Sequence, residues 1–304
     1  MKKLYFTYTL LLWGVSSYSQ STSQSNAIDS LIESRMSNQH IPGMAIAIVQ
    51  NGQVIKKSLY GVSNVETNAP VSENSVFEIA SMTKQFTCAA ILMLQQDGKL
   101  SVNDKLSKYL NDLPSSWDEM TLSHLMNHTS GLRDDWNEPT AYFFLNHTVE
   151  KMSSVQKEYP LYFKPGEGFN YSSGPFFLGL VIEKVTGDTY GSFLKKRICD
   201  PLKMSSTSVY NYRTVVPERV SGYRWNNGVL ENGEDIPPAA ESRADVGIIT
   251  SLNDMIKWNL ALKNTELLNA GSLNQMFSAG LLNNGKHIPY GYGWYIYIQK
   301  RIDY

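Results

Sequence analysis

The sequence predicts an α/β (α+β) chain, with strand-containing parts towards both ends and a mainly helical stretch between them. Three observations point that way. A helix, strand, turn, strand pattern lies near the start. Helical apolar periods punctuated by Pro and Gly fill the middle. Alternating aromatic and aliphatic residues return at Tyr290–Gln299. With 304 residues the chain can bury a substantial core.

Taken in order, Lys2 and Lys3 precede an apolar run, Leu4 to Val15, and then small polar residues. Ser17 and Ser19 have the spacing that a signal peptidase reads, so residues 1–19 are expected to be a signal peptide and the protein to be exported, periplasmic or secreted. The run is too short to span a bilayer comfortably, and no Cys stands at the cut, so no membrane anchor is expected after removal. Residues 20–26 read as a polar linker and 27–304 as one domain. In it, 27–84 and 236–304 carry the strands and 85–235 the helices.

Ile28, Leu31, Ile32 and Met36 share one helical face, which ends before Pro42. Met44–Val49 is apolar, Asn51-Gly52 is a two-residue hairpin signal, and Gln53–Tyr60 alternates as the return strand. Thr83–Gln96 is helical, with Phe86, Ala89, Ala90, Met93 and Leu94 on its apolar face and Gly98 as its stop. Further helices are expected at Thr121–His128, Phe176–Val185, Tyr190–Ile198 and Leu252–Leu262, and a strand at Tyr290–Gln299.

The 27 basic and 28 acidic residues nearly cancel, and like charges form no long run. A nucleic-acid or polybasic membrane partner needs a clustered positive field, so neither is expected. Cys88 and Cys199 could pair but are too few to define a disulfide framework, and two buried free thiols is the preferred reading.

Chemistry enters through Ser-x-x-Lys. A Ser hydroxyl attacks a carbonyl only with help from a base or from a cation favouring the alkoxide. Three residues' separation on a helix puts both side chains on one face. A helix N-terminus adds its positive dipole. Three copies exist: Ser81/Lys84, Ser154/Lys157 and Ser192/Lys195. Ser81 alone opens a strongly apolar helix, whereas Ser192 falls in a polar stretch that reads as surface.

The surrounding residues carry a resemblance. Phe77-Glu78-Ile79-Ala80-Ser81-Met82-Thr83-Lys84-Gln85-Phe86 resembles the nucleophile segment of the serine β-lactamase-like superfamily, which includes class C β-lactamases, D-Ala-D-Ala peptidases and related esterases. Leu125–Leu132, with His128-Thr129-Ser130-Gly131, Phe163–Ser172, Gly247–Ser251 with Asp254 and Trp258, and Tyr290-Gly291-Tyr292-Gly293-Trp294 resemble later blocks in the family's order. The resemblance implies an antiparallel sheet flanked by helices with an inserted helical region. It further implies a serine hydrolase whose nucleophile is Ser81, with Lys84 and Tyr171 sharing the proton handling. The substrate would be an ester, a D-amino-acid (peptidoglycan-like) peptide or a β-lactam, with no metal or organic cofactor.

Two departures stand out. Where the family usually has Tyr-x-Asn, this chain has Tyr171-Ser172-Ser173, which leaves Ser173 as the substrate-binding candidate; Tyr109-Leu110-Asn111 fits the triplet without its context. No Lys-Thr-Gly or His-x-Gly triplet follows Trp294. In the family that segment supplies an oxyanion-hole N–H, a donor whose loss costs about 100- to 1,000-fold in rate. The expectation from sequence is therefore a C-terminally incomplete domain. The alternative is a catalytically impaired or non-catalytic ligand-binding relative.

His124 and His128 stand i, i+4, a spacing metals can use, but no third ligand is arranged with them, so packing or turn-stabilising roles are expected and no metal. Asn127-His-Thr129 and Asn146-His-Thr148 match the glycosylation pattern.

Overall fold

The structure is a computed structural model. It describes residues 13–133, 149–211, 213–233 and 243–297, with side chains from Asn26 onwards. Along the chain the helices are α1 (Trp13–Gln39), α2 (Thr83–Gln96), α3 (Leu122–Met126), α4 (Val149–Glu158), α5 (Pro175–Thr186), α6 (Tyr190–Leu194), α7 (Leu252–Ala261) and α8 (Ala270–Phe277). The strands are β1 (Gly43–Gln50), β2 (Gln53–Asn64), β3 (Ala69–Pro70), β4 (Val76–Glu78), β5 (Ser208–Val209), β6 (Tyr223–Asn226), β7 (Val229–Asn232) and β8 (Ile248–Ser251). Among the described residues no helix is long and apolar enough to cross a membrane.

Packing divides the described residues into two units, one drawn from Met1–Ser72 and Ser221–Glu234, the other from Glu73–Val220 and Asp235–Tyr304. These boundaries differ from the 27–84, 85–235 and 236–304 parts read from the strand pattern.

The first unit is an antiparallel sheet in the order β1-β2-β3, with α1 and the β6-β7 hairpin. Asn51 and Gly52 adopt φ of 51° and 77°, the left-handed pair that a tight hairpin turn requires, and pair Gln50 with Gln53. Helix α1 is tied to β2 through Asp29, which accepts from Lys56 Nζ at 2.8 Å and from the Tyr60 hydroxyl. Those bonds hold the Asp29 carboxyl below its ordinary range. Ser21–Asn26, expected as linker, is helical, because α1 runs unbroken from Trp13 to Gln39.

The second unit holds nearly all of the buried core. Helix α2 lies at its centre, with every residue from Thr83 to Leu94 buried. The single apolar face expected for it is too narrow: neighbours close on all sides, and its polar residues must find partners inside. Truncating a core residue such as Leu92 or Leu94, both fully buried, costs about 2–5 kcal/mol. Helix α5 packs on α2, with Pro175 in its first turn and Gly187 as a left-handed C-terminal cap. Trp117 meets Phe177 edge to face at 5.2 Å.

A second antiparallel sheet, β4-β8-β5, pairs Phe77 with Thr250 and Glu78 with Ile249. It fixes the strand that enters α2. The strand expected at Tyr290–Gln299 does not form among the described residues to Tyr297; Tyr290 and Tyr295 make one isolated bridge. The chain turns between them, with Gly293 at φ 79° and Gly291 N–H bonded to Trp294 O. Both cysteines are buried free thiols, and burial pushes Cys199 up to about 12.

Candidate active site

The site grows from the junction of β4 and α2. After Glu78, Ala80 takes φ of 44°, a left-handed conformation that costs an L-residue about 1–2 kcal/mol. A single 3-10 turn, Ala80–Met82, then leads directly into α2. The junction is held on both sides of Ser81. Ile79 N–H bonds Ile248 O at 3.2 Å, and Thr83 Oγ1 accepts from Ile248 N at 3.0 Å. This sharp turn leaves Ser81 exposed while Lys84, one turn on, is 2% exposed.

Lys84 Nζ donates to Ser81 Oγ at 3.1 Å and to the backbone carbonyl of Asp245 at 3.0 Å. It also lies 4.9 Å from the centre of the Tyr171 ring. Burying a Lys head is unfavourable unless its N–H groups are satisfied, and these three neighbours supply that. The structure therefore brings Ser81, Lys84 and Tyr171 together. Ser173 lies two residues before Pro175, the first residue of α5, and is 9% exposed; its carbonyl accepts from Phe176 N–H.

The Asp245 carbonyl is a partner that sequence reasoning missed. It is presented by a loop whose shape is set by a buried ion pair: Arg243 Nε and Nη2 donate to the two Asp245 oxygens at 2.9 and 2.8 Å. Both residues are 2% exposed or less. Burial alone would raise the Asp245 carboxyl; the Arg243 guanidinium, and then the Lys84 charge, hold it below the ordinary range. Between them, Ala244 O accepts from Thr87 Oγ1 at 2.6 Å. Helix α2 thus grips this loop from one turn beyond Lys84. Two charged residues at i, i+2 beside the Gly247 block were the available sequence signal.

The Tyr171 loop rests on the segment after α3. Thr129 O accepts from Gly166 N–H, Gly131 O from Tyr162 N–H and Leu132 O from Asn170 Nδ2, at 2.8, 2.8 and 3.0 Å. Gly131 is needed there, since a Cβ would lie 2.0 Å from Phe163 O. Tyr171 stacks in parallel on Tyr295 at 6.1 Å and meets Tyr290 edge to face at 6.0 Å. The turn carrying those rings sits against the Lys84 backbone, where a Cβ on Gly293 would come within 2.9 Å of Lys84 O.

His124 and His128 do not share a helix face. His124 Nδ1 caps α3 by accepting from Thr121 N–H, whereas His128 lies beyond the helix at φ 62°. Asn127, in the first glycosylation pattern, is 5% exposed and accepts from Thr129 Oγ1. Asn146, in the second, lies outside the described residues. Among the described residues no group of three or more His, Cys, Asp or Glu side chains could hold a metal. A cavity of about 520 Å³ in the same unit is lined by Phe86, Cys199, Met204 and Ile248 among others, and not by the Ser81 cluster.

The Beta-lactamase family model matches residues 28–302. Penicillin-binding protein 4* of Bacillus subtilis is 30% identical over 284 residues, 88% of this chain and 62% of that protein. The chain thus spans less than two thirds of that relative. A penicillin-binding protein from Bacillus halodurans has a TM-score of 0.74 at 26% identity, covering 86% of this chain and 82% of that one. The octameric penicillin-binding protein homologue from Pyrococcus abyssi has a TM-score of 0.76 at 26% identity, covering 88% and 64%.

Proposed function

This chain belongs to the beta-lactamase family, and from that premise we propose that it is a serine hydrolase working through an acyl-enzyme on Ser81. The observation that carries the reading is the 3.1 Å contact between an exposed Ser81 Oγ and a buried Lys84 Nζ at the head of α2.

Ser81 Oγ attacks the substrate carbonyl carbon, and its proton passes to the Lys84–Tyr171 pair. The tetrahedral adduct collapses, and the leaving amine or alcohol takes that proton. Water then attacks the ester so formed; the same pair accepts the water's proton and returns one to Ser81 Oγ. The positive end of α2 favours the charge that develops at Ser81. The likeness to penicillin-binding proteins favours a D-amino-acid peptide or a β-lactam over a simple ester. The apolar run behind Lys2 and Lys3 supports export as the route to such a substrate.

The test uses a fluorescent penicillin and an activated ester with the purified protein and with Ser81→Ala. Covalent labelling and ester turnover are expected in the first and absent in the second. Labelling that survives in Ser81→Ala overturns the nucleophile. Absence of reaction in both proteins overturns the hydrolase reading.

A further inference from the structure

We propose that His128 is a positioning residue for Tyr171, a clamp that fixes the phenol ring beside Lys84. The inference rests on the role given to Tyr171 above.

Three contacts from one residue converge on three consecutive positions. The His128 carbonyl accepts the Asn170 N–H at 3.0 Å. Its Nδ1 accepts the Ser172 N–H at 3.1 Å. Its ring packs against the Tyr171 ring, with centres 4.3 Å apart and planes 38° apart. The backbone is held on both sides of Tyr171 and the side chain is held between them. A flexible loop tyrosine would sample several rotamers. This one is left with the orientation that faces Lys84 Nζ.

The clamp depends on features particular to His128. Its φ of 62° turns the carbonyl and the ring to the same loop. It is fully buried, so water cannot substitute for the Nδ1 acceptor. Because Nδ1 accepts, the ring proton sits on Nε2, and that atom has no hydrogen-bond partner among the described residues. A buried donor left unpaired is unfavourable. The tautomer is therefore dictated by the bond to Ser172. Burial, reinforced by the Lys84 charge, pushes the imidazole down to about 3, which keeps it neutral and Nδ1 free to accept. Tyr290, with its ring centre 4.7 Å away and its plane at 66°, packs edge to face on the same imidazole.

Two substitutions separate the parts of the clamp. His128→Phe keeps a ring and removes the acceptor. His128→Asn keeps an acceptor near the Nδ1 position, tolerates positive φ and removes the ring. Each is combined with Tyr171→Phe in a double-mutant cycle, with turnover of an activated ester as the readout and a thermal melt to match folded fractions. The expected result is a fall of about 10- to 100-fold in kcat for His128→Phe with KM changed less than about threefold, because misplacement by about 1 Å has that effect. His128→Asn should recover part of the loss. In the Tyr171→Phe background either substitution should cost less than about threefold. Equal losses in both backgrounds, or full activity in His128→Phe, would overturn the clamp and leave the Tyr171 role standing. Full activity in Tyr171→Phe alone would instead remove the Tyr171 role. If His128→Phe does not fold, the cycle with His128→Asn gives the same discrimination.

Discussion

In the turn from Ser81 to Lys84 the amine is buried and rests on the Ser81 hydroxyl and the Asp245 carbonyl. In the turn from Ser192 to Lys195 the spacing is identical, yet the lysine side chain is 67% exposed and pairs with Asp200. Ser192 Oγ there accepts from Thr189 Oγ1 at 3.0 Å, closing the N-terminus of α6. In the third copy, Ser154 Oγ bonds back to the carbonyl of Lys151 in its own helix. Spacing on a helix confers proximity and nothing else. What differs is the surroundings. Around Lys84 they exclude water and leave its head only a few partners, one of which is the serine.

The largest effect that could break this comparison is expected at Lys84. Lys84→Met should lower kcat/KM on an activated ester by about 100- to 10,000-fold, the range of a general acid–base group. A loss below about tenfold would place Lys84 with the other two lysines and remove it from the chemistry.

Next is the loop that presents the Asp245 carbonyl. Arg243→Met leaves the Asp245 carboxylate buried without its principal partner, and removing one member of such a pair costs about 3–5 kcal/mol. The more exposed counterpart is Arg197 with Asp97, whose side chains are 35% and 31% exposed; Arg197→Ala, which also removes the guanidinium from the Phe193 ring, should cost about 1–2 kcal/mol. Urea unfolding of both variants measures the contrast. Equal costs would show that burial is not what distinguishes the two settings.

Much of this was legible in the chain itself. Asn51-Gly52 announced the β1-β2 hairpin, and Gly187 announced the end of α5. The residues before Ser81 singled out the correct copy of three. Asp245 was not legible, because its contribution is a backbone carbonyl that any residue type carries. The clamp at His128 was half legible: a structural role was expected, but its object, Tyr171, lies 43 positions further along the chain. Among the described residues to Tyr297, the strand expected at Tyr290–Gln299 does not form, for a local reason. Alternating aromatics fit a pleat, yet Gly291 and Gly293 between them allow the turn that packs on α2.

Acid should sharpen the contrast between buried and exposed groups. His128 has a folded value of about 3, below the ordinary histidine value of about 6.5. On acidification the unfolded chain therefore takes up the proton first. Stability should fall as pH drops below about 6.5 and continue falling towards 3, by up to about 1.4 kcal/mol per pH unit from this group. Carboxylates with depressed values, Asp97 and Asp104 among them, add their own loss only below about pH 4. Between pH 6.5 and 4.5 His124, which burial also lowers, adds a slope of the same sign, so urea unfolding of His128→Asn beside the unsubstituted protein isolates His128, and the variant should show the shallower slope. Parallel slopes would mean that His128 takes up no fewer protons folded than unfolded.

The smallest expected effect is at Lys195, and it tests the argument from the other side. Its partner Asp200 is 56% exposed, so the pair is screened by water, and such pairs contribute about 0–1 kcal/mol. Lys195 follows α6 in a turn at Lys195–Cys199 whose backbone is held by its own hydrogen bonds, including Asp200 N–H to Lys195 O. Lys195→Met keeps the aliphatic stem and deletes only the charge. Stability should change by less than about 1 kcal/mol in urea unfolding, and kcat/KM by less than about twofold, since no contact among the described residues links Lys195 to the Ser81 cluster. A loss of activity approaching that of Lys84→Met would mean that Ser-x-x-Lys spacing carries chemistry at an exposed helix end, and that burial of the lysine is not what selects the nucleophile.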